Sequence, residues 1–422
     1  MGLDDLRTKL RLVERWVVRR AALAAGEWSP GLPEGFRVLR HECRHHEVLP
    51  AGAAGGSERH APHAAIDPVV IASLLGSRAP SAVPAVRLGE LIFLDVETTG
   101  LSAGPACQVF LAGIGAVDGE RLVTEQYLLN HPRSEADMLA ALLPRLAAAR
   151  GVVTFNGRTF DWPVLSARTL HLGLPPLPDP PLHLDLLLPA RRIWRLRTGS
   201  AALPVLEASV LGRRRPAPLP GWLIPSMYAD YLESGDARLL DPVVEHNRHD
   251  VLALPALLDA ARRALREPAG AEFALDLYSV GRVHEVAGTA EHARVAYAAA
   301  LARGVEAPHR VRAAARLSRL YAREGRAEDA VRLWEEEIGG PLRGSAQARV
   351  ALAKLYEHHR RDYAAAHRAA TEALDLAAEE PDPLRRRLVE ELVRRLDRLD
   401  RRMTARPARP AAPGHAGRNR SG

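Results

Sequence analysis

Leu91-Ile92-Phe93-Leu94-Asp95-Val96-Glu97-Thr98-Thr99-Gly100-Leu101 sets four apolar residues ahead of two acids one residue apart, then a small polar turn. The pattern predicts a strand buried on both faces that reaches the surface at its C-terminal end. Side chains alternate along a strand, so Phe93, Asp95 and Glu97 share one side. Two carboxylates projecting together from a buried strand repel each other unless a cation neutralises them, and hard oxygen ligands suit Mg2+ or Mn2+. A strand end that merely carries two solvated acids has the same pattern, so this stretch leaves both readings open.

Working outward, residues 108–117 read as a second strand, Asp118-Gly119 as a hairpin turn, and 122–129 as a third strand. Ser134 caps a helix over about 135–149, and 152–155 is the next strand. Asp161 opens the following helix just before Trp162-Pro163; an acid there is also favoured by the helix dipole alone. Asp241-Pro242 starts a helix running to about 265, with Val243, Val244, Val251, Leu254 and Leu258 on its buried side. His246 and Asp250, four apart, lie on one face of it. The order β-β-β-α-β predicts an α/β domain with a mixed sheet: an antiparallel meander beside a parallel strand, flanked by helices.

In order, Asp95, Glu97, Asp161 and Asp250 match the four acids of the DEDD exonucleases, a branch of the ribonuclease-H-like superfamily. The stretch from Asp95 to Leu101 is close to that family's first motif, and Asn156 and Phe160 flank Asp161 as in its second. Pro220-Gly221, Ile224-Pro225 and Tyr228, followed by His246-Asn247 and Asp250, resemble the bacterial YprB-type ribonuclease-H-like proteins, which also carry tetratricopeptide repeats. The resemblance covers about residues 88–380. It implies a ribonuclease-H-like domain in which Asp95, Glu97, Asp161 and Asp250 share two Mg2+ or Mn2+ ions. It also implies that His246 orients the attacking water and takes its proton, that Thr98 and Asn156 contact nucleic acid, and that cleavage is exonucleolytic, 3′ to 5′. One feature departs from the large subfamilies. The tyrosine type has Tyr four residues before the last acid and the histidine type has His five before, whereas here His246 stands four before and Glu245 five before. His249 is the fallback base, though adjacent helical residues point about 100° apart.

The chain has 422 residues, 47% hydrophobic and 26% charged, enough for two or three domains with cores. A net charge of +7 favours a polyanionic partner such as nucleic acid. Two cysteines far apart, Cys43 and Cys107, imply no disulfide framework and suit a reducing cytoplasm. No apolar run is long enough to span a bilayer. Between 183 and 215 lie Arg191, Arg192, Arg195, Arg197, Arg213, Arg214 and Arg215 around Trp194. Guanidinium groups beside an aromatic suit phosphates and a stacked base; a solvated basic helix face accounts for them equally well.

Residues 1–87 are expected to hold an amphipathic helix over about 3–24, docked on the catalytic domain or lying on a membrane surface, and then a loop. That loop carries the cluster His41-Glu42-Cys43-Arg44-His45-His46, with His60 and His63 beyond; the residue types suit zinc, but the spacing fits no closed ligand pattern. The catalytic domain is expected over 88–266. Residues 272–403 become Ala-rich and helical: Leu317, Tyr321, Gly325, Ala330 and Trp334 are echoed by Leu352, Tyr356, Ala364 and Arg368, with a divergent earlier copy at Val283, Gly288, Ala293 and Tyr297. This is the tetratricopeptide period, whose usual use is to hold a partner protein. From about 404 a basic, disordered tail is expected. The rival to a metal-dependent nuclease is a non-catalytic adaptor that binds nucleic acid with the first domain and protein with the repeats.

Overall fold

A computed structural model describes residues 35–48, 65–76, 86–100, 107–215 and 218–404. The helix expected over 3–24, His60, His63 and the tail beyond Thr404 lie outside the described residues. The chain divides into two compact units after Ala299.

The strands of the first unit are β1 (Phe36–Arg44), β2 (Ala65–Ile66), β3 (Val86–Arg87), β4 (Leu91–Thr98), β5 (Val109–Asp118), β6 (Arg121–Leu129), β7 (Gly151–Thr154) and β8 (His183–Asp185). Six form one mixed sheet in the order β1-β6-β5-β4-β7-β8, and β2 pairs with β3. The acidic strand is β4, near the middle, antiparallel to β5 and parallel to β7. Its apolar run is buried on both faces, as expected: Leu91 and Phe93 enter one core, Ile92, Leu94 and Val96 the other. Gly119, with φ +57°, makes the turn that returns β5 into β6.

The helices of this unit are α1 (Pro68–Leu75), α2 (Glu135–Ala147), α3 (Asp161–His171), α4 (Leu187–Ile193), α5 (Arg195–Thr198), α6 (Leu203–Ser209), α7 (Ile224–Ser234), α8 (Asp241–Arg266) and α9 (Ala274–Ala287); α10 (Ala290–Ala302) carries the division. α8 lies across β4, β5 and β6. Two glycines of β5 allow that approach. A Cβ at Gly113 would fall 2.2 Å from Asn247 Oδ1 and 2.8 Å from Val251 Cγ2, and one at Gly115 2.9 Å from Val251 Cγ1. Tyr228 of α7, part of the YprB-type pattern, is buried and stacks on Phe110 of β5 with ring centres 4.1 Å apart.

Two expectations change here. The stretch around His41 and Cys43, expected as a loop, is β1, paired antiparallel to β6 from Phe36 opposite Leu129 to Arg44 opposite Arg121. It is an edge strand, mostly half-buried or exposed, and its charged residues mask the alternation that marks a buried strand. Cys43 Sγ donates to the Leu122 carbonyl. The boundary expected between 266 and 272 also falls inside the first unit. α9 packs on α1, α4, α5 and α8, Val280 and Val283 join the core beneath α8, and Arg197 Nε lies 2.8 Å from Asp276 Oδ2. The residues of the divergent repeat copy up to Tyr297 therefore belong to this unit.

The second unit is all-helical: α11 (His309–Arg323), α12 (Ala327–Gly339), α13 (Ala346–Leu355), α14 (Tyr363–Ala377) and α15 (Leu384–Thr404), each packed on the next from α11 to α15. Small residues let the last three approach closely, with Ala353, Ala366, Ala370 and Ala373 buried against Leu388 and Leu392. Leu317, Ala330 and Trp334 are buried in α11 and α12. Among the described residues no helix is long and apolar enough to cross a membrane.

Candidate active site

β4 delivers Asp95 and Glu97 to one side of the sheet. β7 ends beside β4, and the turn after it leads straight into α3, whose first residue is Asp161. Asp161 Oδ1 accepts the Val96 N–H at 2.9 Å, so it is tied to the backbone between the two acids of β4. α8 brings the other wall. Asn247 Nδ2 donates to Asp95 Oδ2 at 2.8 Å and to the Asp95 carbonyl at 3.1 Å, while its Oδ1 accepts from Gln126 Nε2 at 2.9 Å. His246 Nε2 lies 3.2 Å from Asp250 Oδ2 and 3.9 Å from Glu97 Oε1. The fold thus gathers Asp95, Glu97, Asp161, His246 and Asp250. His249 is not among them: its Nε2 faces Glu245 Oε1 at 3.1 Å.

The charges are unevenly balanced. Burial, then the charges of Asp250, Glu97 and Asp161, raise the Asp95 carboxyl well above its ordinary range, against the hydrogen bond from Asn247. Burial and the charges of Asp250 and Asp161 do the same to Glu97. Burial pushes Asp161 up to about 7, outweighing the backbone N–H groups that favour its anion. At Asp250 burial works upward too, but hydrogen bonds and charge from His246 and Arg215 overcome it and hold the carboxyl low. Three of the four acids therefore resist ionisation in this buried, crowded cluster.

A family model described as the RNase_H superfamily matches residues 92–262. The "Uncharacterized protein YprB" of Bacillus subtilis (strain 168) is 32% identical over 295 residues, which cover 68% of this chain and 70% of that protein. This chain belongs to the YprB-type ribonuclease-H-like family. The family B DNA polymerase from the archaeon Pyrobaculum calidifontis is a solved structure with 18% identity and a TM-score of 0.33, covering 51% of this chain and 29% of that one.

Beside the acids, this YprB-type protein has a cleft of about 570 Å³. Asp95 and Asp250 line it together with Phe155, Asn156, Arg191 and Arg195. Asn156 has a left-handed backbone, φ +72°, and its turn is held by Asp185, which accepts N–H groups from Asn156, Arg158 and Leu187 at 2.8, 3.2 and 3.0 Å. Not every residue expected to contact nucleic acid is brought there. Arg192 lies against Gly76 and does not line the cleft. Trp194 is buried in the core, so it offers no face for a base. Thr98 is buried, its hydroxyl donates to the Gly100 carbonyl at 2.6 Å, and it does not line the cleft.

Glu207 is a site residue the sequence reading passed over, while Asn247 entered only within the YprB-type pattern and Arg215 only among the arginines between 183 and 215, neither with a role beside the acids. Arg215 Nε lies 2.7 Å from Glu207 Oε2, and its Nη2 donates to Asp250 Oδ1. The donor set, four carboxylates and no thiolate, suits hard divalent ions. Among the described residues, however, no group of three or more His, Cys, Asp or Glu side chains is arranged to hold a metal ion. Protein contacts already engage Asp95 Oδ2, Asp161 Oδ1 and both Asp250 oxygens. A carboxylate oxygen has a second lone pair, so the contacts at Asp95 and Asp161 leave room for an ion, whereas at Asp250 an ion would share the carboxylate with Arg215 and His246.

Proposed function

We propose that the first unit is a metal-dependent nuclease that hydrolyses phosphodiester bonds of nucleic acid, removing nucleotides from a 3′ end. The supporting observation is the set of four acids on β4, α3 and α8, three of them resisting ionisation by burial and mutual repulsion. Asp95, Glu97, Asp161 and Asp250 would hold two Mg2+ or Mn2+ ions, which when bound neutralise these charges and act as Lewis acids towards a phosphate. Arg191 and Arg195 hold the backbone of the strand in the cleft, with Asn156 and Phe155 beside its terminal nucleotide. With its Nε2 freed from Asp250, His246 would orient the attacking water and take the proton it loses, and Glu97 and Asp250 would offset the charge it then carries. Asn247 keeps Asp95 aimed while this happens. Direction and exonucleolytic action rest on the DEDD resemblance. The second unit serves as tetratricopeptide-like repeats that hold a partner protein, and the protein acts in the cytoplasm.

One observation favours the adaptor reading instead: Arg215 already sits on Asp250. The two readings part on labelled single strands of DNA and RNA incubated with Mn2+ or with EDTA. The nuclease shortens at least one of them from its 3′ end, with Mn2+ only. Binding without any shortening would leave the adaptor standing.

A further inference from the structure

Two buried charged side chains at the site have no part in the mechanism above: Glu207 on α6 and Arg215 in the segment that follows it. Each side chain exposes only 8% of its surface. The guanidinium bridges two carboxylates, with Nε 2.7 Å from Glu207 Oε2 and Nη2 donating to Asp250 Oδ1. The second oxygen of Asp250 faces His246. Asp250 therefore has both oxygens engaged by the protein's own nitrogen donors. A pair this buried is not the nearly neutral ornament that a surface ion pair is, since removing one partner strands the charge of the other.

We propose that Arg215 is a positioning residue that competes with a divalent cation for Asp250, and that Glu207 keeps hold of the guanidinium when the cation takes Asp250. This rests on the reading of Asp250 as a metal ligand. The physical reason is simple. Two cations on one carboxylate repel, so each weakens the other's grip by the same factor. A guanidinium tied to Asp250 alone would be left buried and unpaired once displaced. Glu207 removes that penalty, because Arg215 can give up one carboxylate and keep the other. Ion entry then becomes an exchange at Asp250, and the metal-free site is held together meanwhile.

The test is Mn2+ binding by calorimetry on the full chain. It compares wild type, R215M, E207Q, the R215M/E207Q pair and D250N. Arg215→Met removes the competitor and should tighten Mn2+ binding by about 5–150-fold, the usual range for coupled ligands. It should also lower the thermal midpoint in EDTA. Glu207→Gln leaves Arg215 to Asp250 and should weaken binding; in the R215M background that weakening should vanish. If R215M does not fold, R215Q takes its place, since its amide can still donate to Glu207. Binding that R215M leaves unchanged or weakens would overturn the proposal, as would an E207Q effect that persists without Arg215. If D250N binds Mn2+ as wild type does, the fault lies in the metal-ligand reading itself. If neither wild type nor R215M binds, both fall.

Discussion

At the residue scale the site is a problem of charge. Asp95, Glu97 and Asp161 are all pushed upward, so between about pH 4, the ordinary carboxylate range, and about 7, where Asp161 ionises in the fold, the native state holds protons that the unfolded chain has released. Stability of the metal-free protein then falls as pH rises through that window. Asp95→Asn should flatten the slope, leave the thermal midpoint at pH 7 in EDTA equal to or above wild type, and abolish cleavage. A wild-type melting profile no steeper than the variant's, or near wild-type turnover by Asp95→Asn or Asp250→Asn, would count against the assignment. His246 is tested by contrast with its neighbour. His246→Ala should slow turnover by roughly 10²–10⁴, the usual cost of a positioned base, at saturating Mn2+. His249→Ala should do far less, because that ring faces Glu245. The reverse order of the two variants would put the base on the other side of α8.

At the scale of elements, the site depends on how closely α8 lies on the sheet. Gly113 makes room for Asn247, and Asn247 aims Asp95, so packing and chemistry share one contact. A Cβ at Gly113 meets Asn247 Oδ1 and Val251 at distances no real contact reaches. Gly113→Ala should destabilise the fold by about 1–3 kcal/mol, as overpacking does, and reduce turnover beyond what the lost stability explains. Denaturant midpoints and single-turnover rates at 15 °C would separate the two. An active variant of wild-type stability would show that α8 can shift without cost. The same scale explains why β1 was hidden. Its residues are those of an edge, and only pairing with β6 identifies them as a strand.

At the scale of the whole molecule, the first unit is longer than the pattern of its motifs. Val280 and Val283 of α9 fill the core beneath α8, and Asp276 pairs with Arg197. Burial of two such valines is worth about 3–6 kcal/mol, a large share of the roughly 5–15 kcal/mol that holds a domain together. A fragment ending at residue 266 should therefore unfold at a markedly lower temperature than one ending near residue 303, which should melt cooperatively and keep any activity on a short oligonucleotide. Equal midpoints for the two fragments would show that α9 is dispensable to the core.

By itself the sequence determined the central strand and what surrounds it. A strand buried on both faces needs an unbroken apolar run, and that run, with two acids spaced to one side, is visible in Leu91–Glu97 without any neighbour. Helical spacing likewise put His246 and Asp250 on one face of α8, and turn chemistry at Gly119 set the hairpin. What the sequence left undecided is whatever depends on two surfaces meeting. Seven arginines between 183 and 215 read alike in a row. In the fold Arg191 and Arg195 line the cleft, Arg192 lies over Gly76, Arg197 pairs with Asp276 and Arg215 reaches Asp250. A side chain's composition says that it carries a charge; only the tertiary structure decides which opposite charge is buried beside it.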